Sequence, residues 1–290
     1  MAAQSRIDKF RNALAKEIPI FPNKKPVRQE LIDMKLQDLL VAYMAWRLRF
    51  VRAAKRTIVT EQSATNDMRW KKQKSGIDFL LQKVQRGEDL TPHLSRRAIT
   101  KGYTPKNCSA NNKRPVCWED KDYLLNVTSC HHFHLGTTIE KAGHVTPTND
   151  VLFAVVSRDL FRIVGIFNHE VFDDETTDTM PSERERLWKL HDSIIHEGIP
   201  AGTIFSGGGF GNKGMMMDGT PYAIVSNAID YRKKIEEIDR KMDDISFLTQ
   251  AIPGITIPSK AKFRWHMNIL DLGVLETTSQ QFFIFRKGPN

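Results

Sequence analysis

No apolar run in this 290-residue chain approaches the roughly 18–20 residues that a membrane span requires. The longest, residues 151–156, is bounded by Asp150 and Ser157. The opening segment, MAAQSRIDKFRNALAKEI, is charged and amphipathic and has no apolar stretch of signal-peptide length. Asp8 and Glu17 argue against a mitochondrial address. The expectation is a cytoplasmic protein with no membrane partner. Cysteine is equally scarce. Cys108, Cys117 and Cys130 are odd in number, form no C-x-x-C pair, and stand nine and thirteen positions apart. That excludes a disulfide framework and fits no common zinc module, so ordinary reduced thiols are expected. Internal repeats and low-complexity tracts are absent as well.

What is present is an uneven charge. Residues 1–120 carry 25 Lys/Arg against 12 Asp/Glu, whereas residues 121–290 carry 18 against 22. A basic first half points to a polyanion-facing surface, with RNA favoured over DNA as the partner. Pro26 is placed to open a helix running to about residue 56, on which Leu36, Leu39, Tyr43, Trp46 and Phe50 make one buried stripe. Arg49, Arg52 and Arg56 make a second stripe. Arg69, Lys71, Lys72 and Lys74 follow in an expected loop, and Arg96 and Arg97 sit on a short helix opened by Thr91-Pro92. With Trp46 and Trp70 nearby, these nine cations are the candidates for gripping a phosphate backbone. The same residues also suit a solvated helix face.

The expected class is α+β. A basic helical region (1–102) precedes an antiparallel β core (103–175), then a helical region (176–290) with a glycine-rich loop and a terminal hairpin. In the last region a long helix over residues 221–248 carries the seam Ile235, Ile238, Met242 and Ile245, suited to another helix, a protein partner or a second copy. The hairpin pairs residues 263–269 with 281–286. Within the stretch 207–214, Gly209, Gly211 and Gly214 fit G-x-G-x-x-G, but no helix opens on the third glycine and no G-K-S/T follows. A lid or packing loop is the expectation there, rather than a nucleotide cradle.

Five of the nine histidines, His131, His132, His134, His144 and His169, lie in the β core. Alternation on a strand puts His132 and His134 on one face and His131 with Phe133 and Leu135 on the core face. His169 ends a nearby strand. His144 falls in a loop. Imidazoles so grouped can act as acid and base near neutral pH, can ligate a metal with His144 or Asp150, or can be structural. Carboxylate-rich ligand sets and an H-E-x-x-H pair are missing, which favours metal-free chemistry with no cofactor. Arg158, Arg162 and Lys141 would then supply cations to a scissile phosphate.

The order Leu124-Leu125-Asn126, His132-Phe133-His134-Leu135, residues 151–156, then Phe161 to Phe167 ending in His169 and Phe172 resembles the strand series of RelE/HigB-type messenger-RNA interferase toxins. The resemblance covers residues 124–172 and carries over only His169. The chain is much longer than such toxins, and its paired histidines are not part of their pattern. It implies a metal-independent endoribonuclease, a hydrolase of toxin–antitoxin or defence type, whose basic helices dock RNA or a ribosome. His132, His134, His169, Arg158 and Arg162 are the expected catalytic group. The alternatives are a non-enzymatic nucleic-acid-binding protein with structural histidines and a metal-dependent hydrolase using the same histidines.

Overall fold

The structure, a computed structural model, describes residues 5–105, 119–173, 179–195, 214–251 and 261–288. It begins with α1 (Arg6–Glu17), capped by Ser5, whose hydroxyl accepts from the Asp8 amide. The single helix expected from residue 26 to 56 is instead two, α2 (Lys25–Asp33) and α3 (Leu36–Arg47). Arg11 is the cause: its Nη2 donates to the carbonyls of Ile32 (3.2 Å) and Met34 (2.5 Å), satisfying the end of α2 while Met34 and Lys35 extend. Since α3 stops at Arg47, Arg49, Arg52 and Arg56 follow the helix rather than striping it.

The first hundred residues also hold a strand, β1 (Thr57–Thr60), against the expectation of helix throughout. Its four residues are all β-branched, the local signal for a strand. Next come α4 (Gln62–Thr65), α5 (Met68–Lys72) and α6 (Lys74–Arg86), so the basic run 69–74 is helical, not a loop. Asp67 caps α5 through the Arg69 amide. Gly87 closes α6 at φ +74°, a left-handed conformation that glycine adopts without strain. A 3₁₀ turn at Thr91–His93 leads to α7 (Arg96–Thr100).

In the middle of the chain, residues 124–126 of the strand series are instead helical, in α8 (Tyr123–Thr128), while β2 (Cys130–His134), β3 (Asp150–Val156) and β4 (Leu160–Asn168) lie where strands are expected; His169 does not end β4 but opens a 3₁₀ turn, His169–Phe172. Then come α9 (Ser182–Ile195), α10 (Tyr222–Asp239), α11 (Ile245–Ala251) and the strands β5 (Phe263–Asn268), β6 (Asp271–Glu276) and β7 (Phe282–Arg286). The long helix expected over 221–248 breaks after Asp239, where Arg6 pairs with Asp239 and Asp243 and also donates to the Asp239 carbonyl at 3.0 Å. The expected terminal hairpin is a three-stranded meander. Its middle strand β6 is buried on both faces and so shows no polar alternation. Residues 207–213 of the glycine-rich stretch lie outside the described residues.

The fold is α+β, divided between two compact units. One joins residues up to Leu48, Ile99–Asp120 and everything from Tyr222. In it α10 packs on α3, and Ile235, Ile238 and Met242 are buried, so most of the seam is internal; Ile245 stays exposed. The other unit joins Arg49–Ala98 to Lys121–Pro221 around a sheet in the order β1-β4-β3-β2. Here β1 runs parallel to β4, and β2, β3 and β4 are antiparallel. The basic first hundred residues are thus shared between the units.

Both faces of this four-stranded sheet are covered. Phe133, Leu152, Ala154, Ile163 and Ile166 form one core with Ile77, Leu80 and Val84 of α6. Val151, Phe153, Val164 and Phe167 form the other with Leu187 of α9 and Val171. A bulge at Val164, opposite the Phe153/Ala154 step, shifts the alternation so that Ile163 and Ile166 share a face. Gly76 lets α6 close on the end of β2, because a Cβ there would lie 1.9 Å from the Leu135 carbonyl oxygen. Gly76→Ala is expected to cost about 2–3 kcal/mol in urea unfolding as the helix is pushed off the sheet. A loss below about 0.5 kcal/mol, the ordinary range for a surface change, would show that this contact gives way freely.

Candidate functional site

The candidate site forms where β2 ends, β3 begins and β4 passes into its 3₁₀ turn. His132 and His134 stand opposite Phe153 and Val151 in the β2–β3 register and share their face, as alternation requires. That face is not open to water along its length. The His132 ring lies 4.8 Å from the Phe172 ring and 5.8 Å from Phe153, with its side chain 11% exposed. Further along, the His134 and His169 rings stack at 5.7 Å, and His169 lies 5.6 Å from Phe172. His132 and His169 therefore share Phe172, and His134 joins them through His169. His131 is buried beside Phe133, as expected, and His144 is also buried.

Tautomers follow from the partners. His169 Nδ1 lies 2.7 Å from the Asn149 carbonyl, which can only accept, so Nδ1 carries a proton; the residue itself is exposed. His93 holds the end of β2 in the same way: its Nδ1 donates to the His134 carbonyl at 2.8 Å, while its ring is wholly buried against Phe79. Asp122 caps α8 with one oxygen and brings the other to 3.6 Å from His132 Nδ1. Burial pushes His132 below the usual imidazole range, against the opposing charge of Asp122. Burial, with the nearby His132 and His169, pushes His134 down to about 4. At neutral pH His134 is uncharged.

Charged groups brace this end of the sheet. Glu183 of α9 receives both ends of the Arg69 guanidinium, at 2.6 and 3.0 Å, together with Arg186 at 3.2 Å and the Asn168 amide at 3.1 Å. Burial alone would raise the Glu183 carboxyl, but these donors hold it at about 2. Buried Asp150 accepts from Gln73 at 2.7 Å, with Lys72 at 3.7 Å. Arg69 is thus engaged in structure.

The other expected residues are placed as follows. Arg162 pairs with Glu61 at 2.5 Å and stands seven positions before His169 on β4, roughly 20 Å at about 3.3 Å per residue. Arg158 is farther still, in the β3–β4 turn. Neither joins the histidines, because both sit at the opposite end of the hairpin. Arg49 and Arg56 are buried: Arg49 donates to the Arg97 carbonyl, and Arg56 to the carbonyls of Ser157, Arg52 and Ala54. Arg52 is half-buried. Lys71, Lys72, Lys74, Arg96 and Arg97 are exposed; Lys74 pairs with Asp78 and Arg96 with Glu140. Among the described residues, no group of three or more His, Cys, Asp or Glu side chains is placed to hold a metal ion. Nor is any described helix long and apolar enough to cross a membrane.

Sequence reasoning missed Asp122 and His93. Asp122 had a signal, being an N-cap residue before an apolar helix; His93 had none. Comparison with family models, curated proteins and solved structures found no match.

The depressed His134 pKa sets a stability window. Between about 6.5 and 4 the unfolded chain takes up a proton that the folded ring refuses, so stability falls as pH drops through that range. From pH 7.5 to pH 5 the loss from this ring is expected to be about 1–2 kcal/mol, discounted for its partial exposure. Urea midpoints at the two pH values should draw closer in His134→Phe. An unchanged difference would show that His134 does not titrate this way.

Proposed function

We propose that this protein is a metal-independent acid–base enzyme cleaving phosphodiesters, with RNA as its substrate. The observation that carries the reading is the grouping of His132 and His169 around Phe172, with His134 stacked on His169, at an end of the sheet braced by ion pairs. In this reading His169 is the base. Its Nδ1–H is pinned to Asn149, and its Nε2 can take a proton from a ribose hydroxyl. His134, neutral and stacked on His169, keeps the pair from carrying two charges at once. His132 is held neutral by burial despite Asp122, so His169, once it has taken the proton, is the group that returns it to the leaving oxygen. Lys71 and Lys72, exposed on α5, supply positive charge beyond that end of the sheet.

A second reading, a nucleic-acid-binding protein whose histidines are structural, draws on the tight seat of His132 between Phe153 and Phe172. One assay separates the two. Purified protein is incubated in EDTA with a single-stranded RNA carrying a fluorophore and a quencher. Cleavage is expected, falling about 10²–10³-fold in His169→Ala and His134→Ala while RNA binding persists. Binding without cleavage in the unaltered protein, or equal cleavage in both variants, would leave the binding reading standing.

A further inference from the structure

The unit that contains the meander has a groove of about 570 Å³ between α1, the α10–α11 turn, α11 and the strand β5. Ala261 through Met267 all line it, the odd-numbered residues together with the even. Consecutive strand residues point to opposite faces, so only a strand approached from its edge shows both sets. In the sheet order β5-β6-β7, β5 is an edge strand. Its register against β6 pairs Asn268 with Asp271 across a two-residue turn, and the Thr277 amide donates to the Lys262 carbonyl. The bonds to β6 therefore come from positions 262, 264, 266 and 268. The amides and carbonyls of Phe263, Trp265 and Met267 face the groove. Those backbone groups have no hydrogen-bond partner among the described residues, although Trp265 and Met267 are buried. An edge presenting unpaired donors and acceptors within a concave wall is a template for another strand.

The walls narrow the choice of strand. Phe10 and Leu14 of α1, with Met242 and Leu248, give one side an apolar lining. Lys9, Lys262 and Arg264 stand exposed at the rim, without an ion-pair partner among the described residues. Arg6, by contrast, is neutralised by Asp239 and Asp243, and Glu17 is the rim's remaining carboxylate, accepting from Tyr43. We infer that this groove binds an extended segment of another protein in which apolar and acidic residues alternate, added to β5 as a fourth strand. Its backbone pairs with Phe263, Trp265 and Met267, its apolar side chains enter the lined wall, and its carboxylates meet the three free cations.

The test uses the full chain and a fluorescein-labelled heptapeptide of alternating valine and glutamate, read by fluorescence anisotropy. Saturable binding is expected. It should weaken about tenfold when Lys262→Glu and Arg264→Glu are combined, and by at least as much when glutamates of the peptide are replaced with lysine. Because the double variant can misfold, a second arm leaves the protein unaltered and N-methylates the peptide at alternate residues. That removes ladder donors while keeping charge and apolar content, and binding should be lost. Absence of binding, or equal binding of the N-methylated peptide, would overturn the inference. So would displacement of the peptide by dodecanoate at lower concentration than by unlabelled peptide, which would make the groove a site for small anionic amphiphiles.

Discussion

The Glu183 carboxylate, enclosed by Arg69, Arg186 and the Asn168 amide, is the contact on which the sheet-bearing unit depends. It joins α5, α9 and the last residue of β4 through one side chain. A lone buried carboxylate would be costly, and each arginine alone would be half-satisfied; together they form a closed set of charge-assisted bonds. Arg69 also donates to the Ile166 carbonyl, and the Arg186 guanidinium lies 4.1 Å over the Phe167 ring. The end of β4 is thus held from above and below. Because Asn168 is fixed, the turn that follows can present His169 and Phe172 at one place rather than over a range of positions.

The candidate site is built by this bracing and by a second, quieter one from β2. His93 fixes the His134 carbonyl, and the Thr148 hydroxyl takes the Leu135 amide while donating to the Asp150 carbonyl. The result is an arrangement in which imidazoles with unlike surroundings lie within ring-contact distance of one another or of Phe172. One is exposed and oriented by a carbonyl, one is uncharged through burial, and one is enclosed by aromatic rings beside a carboxylate. Unlike environments for like groups are what separate donor from acceptor in acid–base sites. The cations once expected at the phosphate lie elsewhere. Arg162 serves the β1–β4 end through Glu61, and Arg49 and Arg56 bind carbonyls of the chain itself.

Much of this unit was legible in the sequence because its signals are local. The apolar run of β3, the paired run of β4 and the one-on, one-off placement of His132 and His134 all follow from a period of two. The near-equal lengths of β3 and β4 about Ser157 made the hairpin readable. What stayed hidden depends on contacts between distant residues. Arg69 and Glu183 are 114 positions apart, and nothing near either marks it as the other's partner. The ends of α2 and α10 were misread for the same reason. Both helices would continue on local pattern, and each stops where an arginine of α1 binds its carbonyls or side chains. Strand β6 eluded pattern reading because burial on both faces erases alternation.

The parallel pairing of β1 with β4 has a consequence for how the chain emerges during synthesis. Thr57 meets Leu160 only after about a hundred further residues have left the ribosome. The helices before Leu48 wait longer, since their companions begin at Tyr222. The sheet-bearing unit can therefore close as an inserted whole while the first helices are still without their cover. During that interval the face of α3 bearing Leu39, Leu40 and Tyr43, fully buried in the finished protein, is a hydrophobic surface for chaperones to hold.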